Sequence, residues 1–186
     1  MSNGVKLLPK FFARPTLTVA RELIGKNLVV LRRGKRLVGR ITETEAYIGE
    51  DDPACHARFG RTKRSEVLYW RPGTLYVYFT YGMHWLLNIV TERADFPAAV
   101  LIRAVEPLEG LSKGVRTDGP ARLTKAFGIN STFHGTVIGK KLWVEDDGFV
   151  VPENATWQGP RIGVAYAGKG KDWSWRFALD KNSFLI

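Results

Sequence analysis

Two pairs of strand-like runs, each folded about a short turn, limit what this chain can become. NLVVL (27–31) and LVGRITETEAYI (37–48) flank the charged turn RRGKR around Gly34, and TLYVYFTY and MHWLLNIV meet at Tyr81-Gly82. Runs of this kind, separated by a few turn residues, pair as antiparallel hairpins. AAVLIRAV is a further strand, buried by its composition, and KLWVED, RIGVAYAG and WRFALD read as late strands. Pro15-Thr16 before LTVARELIG predicts a short helix with its cap at Thr16 and its stop at Gly25. Gly119-Pro120 opens a second helix, PARLTKAF, which Gly128 ends. Residues 49–72, rich in Gly, Pro, Asp and Arg, read as a long loop, and long loops in compact domains are usually functional or mobile. With no internal repeat or low-complexity linker, the 186 residues are expected to form one domain, 1–186. Its class is α+β: a mostly antiparallel sheet core with short flanking helices and a protruding β-hairpin.

Charge narrows the partners. The chain has 28 Lys plus Arg against 18 Asp plus Glu, a net charge of +10. That excess is the usual footprint of a polyanion-binding surface, most often nucleic acid. One cysteine, Cys55, excludes an internal disulfide and fits a reducing compartment. The N-terminus lacks the apolar core of a signal peptide, and no segment approaches the ~20 apolar residues of a membrane span. The expectation is a cytoplasmic protein, or a nuclear one if its source has a nucleus. Three histidines and one cysteine give no metal-ligand spacing, so no metal and no cofactor are expected. Cys55 and His56, as immediate neighbours, do not make a nucleophile–base pair.

Against this basic background, ITETEAYI is unusual. Alternation along a strand puts Ile41, Glu43, Glu45 and Tyr47 on one face, and Thr42, Thr44, Ala46 and Ile48 on a face suited to a core. One reading is an edge strand with two solvated glutamates. The other is a carboxylate in a basic groove, acting as a general base toward water. In the aromatic hairpin, Leu75, Val77 and Phe79 make a core stripe, while Tyr76, Tyr78 and Thr80 face the other way. Tyr81 falls at the tip, where it either folds back on its hairpin or projects as a wedge between base steps.

The blocks ITETEAYIGEDDPACHARFGRTKR, RPGTLYVYFTYGMHWLLNIV, AAVLIRAVEPLEG, DGPARLTKAFGIN and RIGVAYAG with WRF resemble, in order and spacing, the alkyladenine (3-methyladenine) DNA glycosylase family, from about Phe11 to Phe177. The resemblance implies a monofunctional enzyme without lyase activity or a metal. Such an enzyme flips damaged purines (3-methyladenine, 7-methylguanine, hypoxanthine, ethenoadenine) from duplex DNA and hydrolyses the N-glycosidic bond, starting base excision repair. It implies Glu45 as general base, with Glu43 as the alternative, and Arg103 and the Val164 carbonyl beside the water. By the same resemblance Tyr47 and Tyr78 sandwich the base and His56 donates a hydrogen bond to it. Asn88 crowds the amine of guanine, and Tyr81 fills the gap in the duplex. An alkylated purine leaves as a cation's neutral product, so a second carboxyl acid of the glycoside-hydrolase kind is less necessary. Arg58, Arg61, Lys63, Arg64 and Arg71 are candidates for DNA-backbone contact.

Where the family pattern is GRTPRN, this chain has GRTKRS, which bears on phosphate contacts and not on the chemistry. The family fold also resembles the C-terminal domain of methionyl-tRNA formyltransferase, so a non-catalytic nucleic-acid-binding module is the rival reading; Glu45 with Tyr47 and Arg103 discriminates against it. The partner implied by the resemblance is duplex DNA, bound by a monomer, and no membrane is expected.

Overall fold

The computed structural model describes residues 4–180, and among these nine strands form one sheet. They are β1 (Val5–Lys6), β2 (Asn27–Arg32), β3 (Lys35–Ile48), β4 (Leu75–Thr80), β5 (His84–Val90), β6 (Ala98–Glu109), β7 (Leu142–Asp146), β8 (Thr156–Gly159) and β9 (Arg176–Leu179). The main path runs β1-β7-β2-β3-β6-β5-β4, every pairing antiparallel. Short helices α1 (Pro9–Phe12), α2 (Thr16–Glu22) and α3 (Pro120–Phe127) flank it. None of the described helices is long and apolar enough to cross a membrane.

Local chemistry explains the hairpins. Arg33 and Gly34 both take positive φ (50° and 74°), the twist-matched geometry for joining β2 to β3. Tyr81 and Gly82 do the same (51° and 65°) between β4 and β5. Helix α2 starts one residue earlier than a Thr16 cap requires: Pro15 is the cap, and Thr16 is the first helical residue. A distant carboxylate performs the capping, because Glu92 Oε1 accepts from the Thr16 N–H (2.7 Å) and hydroxyl (2.8 Å). Gly128 closes α3 in the left-handed region, as the sequence predicts.

Strand β3 organises the rest. Along one edge it pairs with β6; along the other it pairs first with β2, through Arg40, and then with β9, from Glu43 to Glu45. The register slips on both sides of Glu43, and the ladder passes from Ala104 to Ile102 across Arg103. Such bulges re-aim side chains. This one overturns the simple alternation: Ile41 packs in the same core as Ala46, not on the face of Glu45 and Tyr47. It also removes the edge-strand reading, since β3 is paired on both sides where the glutamates sit.

The sheet buries both faces. One packs Leu75, Val77, Ile89, Val100 and Ile102 against α2 and α3 through Leu23, Leu123 and Phe127. Phe79 does not extend that stripe; near the hairpin tip it is 44% exposed and rests on Trp85. The other face is covered by the 49–72 segment, which contains two 3-10 turns, His56–Phe59 and Glu66–Tyr69, and packs Cys55, Leu68 and Tyr69 against Tyr76 and Ala99. RIGVAYAG is not a strand. It runs as turns and bends, with Gly163 at φ 77°, while a strand unforeseen in the sequence, β8, precedes it.

One buried ion pair ties these covering segments to the sheet. Arg161 donates from Nη1 to Asp52 Oδ2 (2.6 Å) and the Ala46 carbonyl (2.9 Å), and from Nη2 to Asp52 Oδ1 (2.8 Å) and the Gly170 carbonyl (3.2 Å). Neither side chain of the pair is exposed. Removing one partner of such a pair strands a buried charge, so Asp52→Asn should lower unfolding free energy by about 3–5 kcal/mol, read from the urea midpoint at unchanged slope.

Candidate active site

The face covered by the 49–72 segment holds a cavity of about 410 Å³. Glu45 reaches it from β3 and is fully buried. Its Oε2 accepts from the Tyr47 hydroxyl (2.7 Å), and its Oε1 accepts from the Ile162 N–H (2.8 Å). Arg103 Nη1 stands 3.4 Å from the same Oε1. An ionised carboxylate has about four acceptor positions; two are hydrogen-bonded here, and the Arg103 guanidinium adds an ion-pair contact. Burial pushes the Glu45 carboxyl up from the ordinary range, while Arg103, the Ile162 N–H and the Tyr47 hydroxyl pull it back, and Glu43 adds a smaller upward push. Burial and the adjacent carboxylate raise Tyr47 well above the usual phenol range, so it stays protonated and donates. The result is a carboxylate of raised proton affinity at the wall of a largely aromatic chamber, a group suited to taking a proton from water.

Arg103, the unpaired residue at the bulge, shares the cavity face of β6 with Ala99 and Leu101 and donates from Nε to Glu43 Oε1 (3.0 Å). Arg176 on β9 donates to the same Glu43 oxygen (2.8 Å). Glu43 therefore sits between two guanidinium groups, away from the cavity lining, whereas Glu45 lines it.

Tyr47, Tyr78, His56, Asn88 and the buried Val164 all line the cavity. The His56 ring meets Tyr78 edge-on at 4.5 Å. His56 Nδ1 and the Tyr76 hydroxyl are 2.8 Å apart. Burial, with Arg64 and Arg58 nearby, pushes His56 down to about 4, so the ring is neutral at pH 7. Asn88 donates from Nδ2 to the Tyr76 carbonyl (3.1 Å), which fixes its amide. The Val164 carbonyl accepts from the Ala167 N–H (2.9 Å) and retains its second lone pair. Tyr81, 84% exposed, stands at the rim. Cys55 also lines the cavity, but burial pushes its thiol up to about 12, which leaves it protonated.

The basic loop is less uniform than its sequence. Lys63, Arg64 and Arg71 are exposed. Arg61 instead bridges Glu66 (3.0 Å) and Asp95 (2.9 Å), and Arg58 donates to the Cys55 carbonyl (3.2 Å). Sequence reasoning missed Tyr76, Asp52, Arg161, Ile162 and Arg176. Tyr76 carried a signal, since it shares a strand face with Tyr78. The backbone donor of Ile162 carried none, because any residue supplies an N–H.

The profile of the methylpurine-DNA glycosylase family matches residues 10–183 of this chain. A Myxococcus xanthus protein is 54% identical over 158 residues, covering 85% of this chain and 81% of its own. A Methanocella arvoryzae protein is 46% identical over 191 residues (95% and 94%), and a Clostridium perfringens protein 41% identical over 196 (94% and 96%). All three bear the name "Putative 3-methyladenine DNA glycosylase". With a match that spans nearly the whole chain, and relatives this similar along their length, the chain belongs to the methylpurine-DNA glycosylase family.

Proposed function

We propose that this DNA repair glycosylase takes a damaged purine, such as 3-methyladenine, 7-methylguanine, hypoxanthine or ethenoadenine, out of duplex DNA into the cavity and hydrolyses its N-glycosidic bond with a water activated by Glu45. The observation that carries the reading is the fully buried Glu45, held by two hydrogen-bond donors and the Arg103 guanidinium at the wall of a cavity that Tyr47, Tyr76 and Tyr78 also line.

In this reading water attacks the sugar C1′, its proton passes to the free position of Glu45, and the glycosidic electron pair leaves with the base. The developing sugar cation gains from the same carboxylate. An alkylated purine carries its own positive charge and departs without protonation. Tyr47 and Tyr78 stack on the base, and electron-poor rings favour that contact as cations favour aromatic faces. His56, its Nδ1 held by the Tyr76 hydroxyl, donates to the base edge. Arg103 and the Val164 carbonyl hold the water. The product is an abasic site, and no lysine is among the described residues lining the cavity to extend the reaction to strand cleavage. The protein acts as a monomer. The exposed Lys63, Arg64 and Arg71 steer and hold phosphates.

Replacing Glu45 with Gln keeps the shape and removes the base. The variant should bind a hypoxanthine-containing duplex yet lose more than about a hundredfold in single-turnover base release, roughly 2.7 kcal/mol of barrier. Retention of rate within tenfold would transfer the base role to Glu43. Because the base works ionised and its carboxyl is raised, the wild-type rate should fall as pH drops through a value above 4.5, the ordinary glutamate figure, rather than at or below it.

Asn88→Ser should admit the amine of guanine and increase release of undamaged guanine; an unchanged ratio on a guanine-containing panel removes Asn88 from the specificity argument. At the rim, Tyr81→Ser should leave thermal unfolding unchanged while weakening excision from duplex, with a smaller loss on a mispaired lesion that already flips more easily. Equal flipping by both proteins, followed with a fluorescent base at the lesion, would assign Tyr81 no part in opening the duplex.

A further inference from the structure

The rim of the cavity carries a group of side chains that this chemistry leaves unused. Phe59 ends the 3-10 turn that begins at His56 and is 74% exposed. The Arg58 guanidinium lies 4.3 Å from the centroid of the Phe59 ring and 5.1 Å from that of Tyr166. Tyr166 is itself 60% exposed and lines the cavity. Backbone contacts fix both supports: Arg58 Nη1 donates to the Cys55 carbonyl (3.2 Å), and the Tyr166 hydroxyl donates to the Ala54 carbonyl (3.2 Å). Phe59 is therefore held against a cation that is anchored to the cavity wall, with most of its ring open to solvent.

A phenyl ring presented in this way leaves most of its surface unburied. What it offers is a flat π-face next to a planar cation, and nucleobases stack on both. The surround is cationic, with Arg58, Lys63 and Arg64 close in sequence, which suits a polyanion better than an apolar protein surface. Three residues of 3-10 helix rise roughly 6 Å, about one to two base steps of ~3.4 Å. That places Phe59 within reach of the nucleotide beside one seated at His56. We propose that Phe59, backed by Arg58 and Tyr166, is a second base-stacking site, which holds the base adjacent to the flipped nucleotide on the same DNA strand. This rests on the reading of the cavity as a flipped-base pocket, and it gives Arg58 a stacking role in place of a phosphate contact.

The test uses Phe59→Ala in the Glu45→Gln background, with a duplex carrying hypoxanthine and 2-aminopurine as its neighbour. The variant should bind about five- to a hundredfold more weakly. The salt dependence should not change, because no charge is lost. Emission from 2-aminopurine should be brighter than with Phe59 present, since the unstacked base loses its aromatic cover. Arg58→Lys, which keeps the charge but not the planar stack, should reproduce part of the loss. Equal affinity and equal emission with and without the phenyl ring would overturn the proposal. Base release by the wild-type protein is read separately: its absence would remove the glycosidic chemistry, while affinity and emission still decide the stacking site.

Discussion

A buried carboxylate is costly to keep, and the fold around Glu45 is arranged to keep it. Taking the charge out of water raises its proton affinity. Three groups stand against that: a phenol two residues along the same strand and a backbone N–H from beyond β8, both donating hydrogen bonds, and the positive charge of a guanidinium from β6. Without them the group would protonate or drag water into the chamber. With them it remains able to ionise while staying a stronger proton acceptor than a surface glutamate. Each donor depends on another feature of the architecture, so most of the molecule's irregular backbone leads back to this one side chain.

The bulge between β3 and β6 is the first of these features. Regular alternation from Ala99 and Leu101 carries Arg103 to the cavity side, and the slip beyond it sends Val105 to the core. Glu43, at the slip, is held between Arg103 and Arg176 and restrains the guanidinium that approaches Glu45. The second feature is the Arg161–Asp52 pair. Arg161 immediately precedes the residue whose N–H reaches Glu45, and its guanidinium lies 4.8 Å from the centroid of the Tyr47 ring. One ion pair thus fixes the backbone donor and backs the aromatic donor, while closing the 49–72 segment over the sheet.

Much of this was legible in the order of residues. The hairpin turns, the strand at 98–105 and the α3 boundaries follow from local rules, because positive φ, Pro-first helix starts and period-two alternation act over a few residues; those rules put Tyr81 at a tip but left open whether it folds back or projects. The line ETEAY named the carboxylate and its phenol partner together, since residues two apart on a strand face the same way. The resemblance to the glycosylase blocks then brought His56, Tyr78, Asn88, Arg103 and Val164 to attention, and all of them line one cavity.

Other features had no local signal. The RIGVAYAG segment has strand composition but its backbone turns, because Arg161 is drawn into a buried pair with a residue 109 positions away. Ile41 and Phe79 fit the alternation by type, yet a bulge and a hairpin tip decide their faces. Arg61 reads as a free cation until Asp95 arrives beside it from the far side of two strands. The sequence by itself determined which short segments are strands, turns and helices, and which residue types are present for chemistry, because those depend on interactions between near neighbours. Only the tertiary structure decided which of two glutamates is buried, which donors meet it and where the cavity opens, because desolvation and ion pairing depend on what distant segments bring alongside.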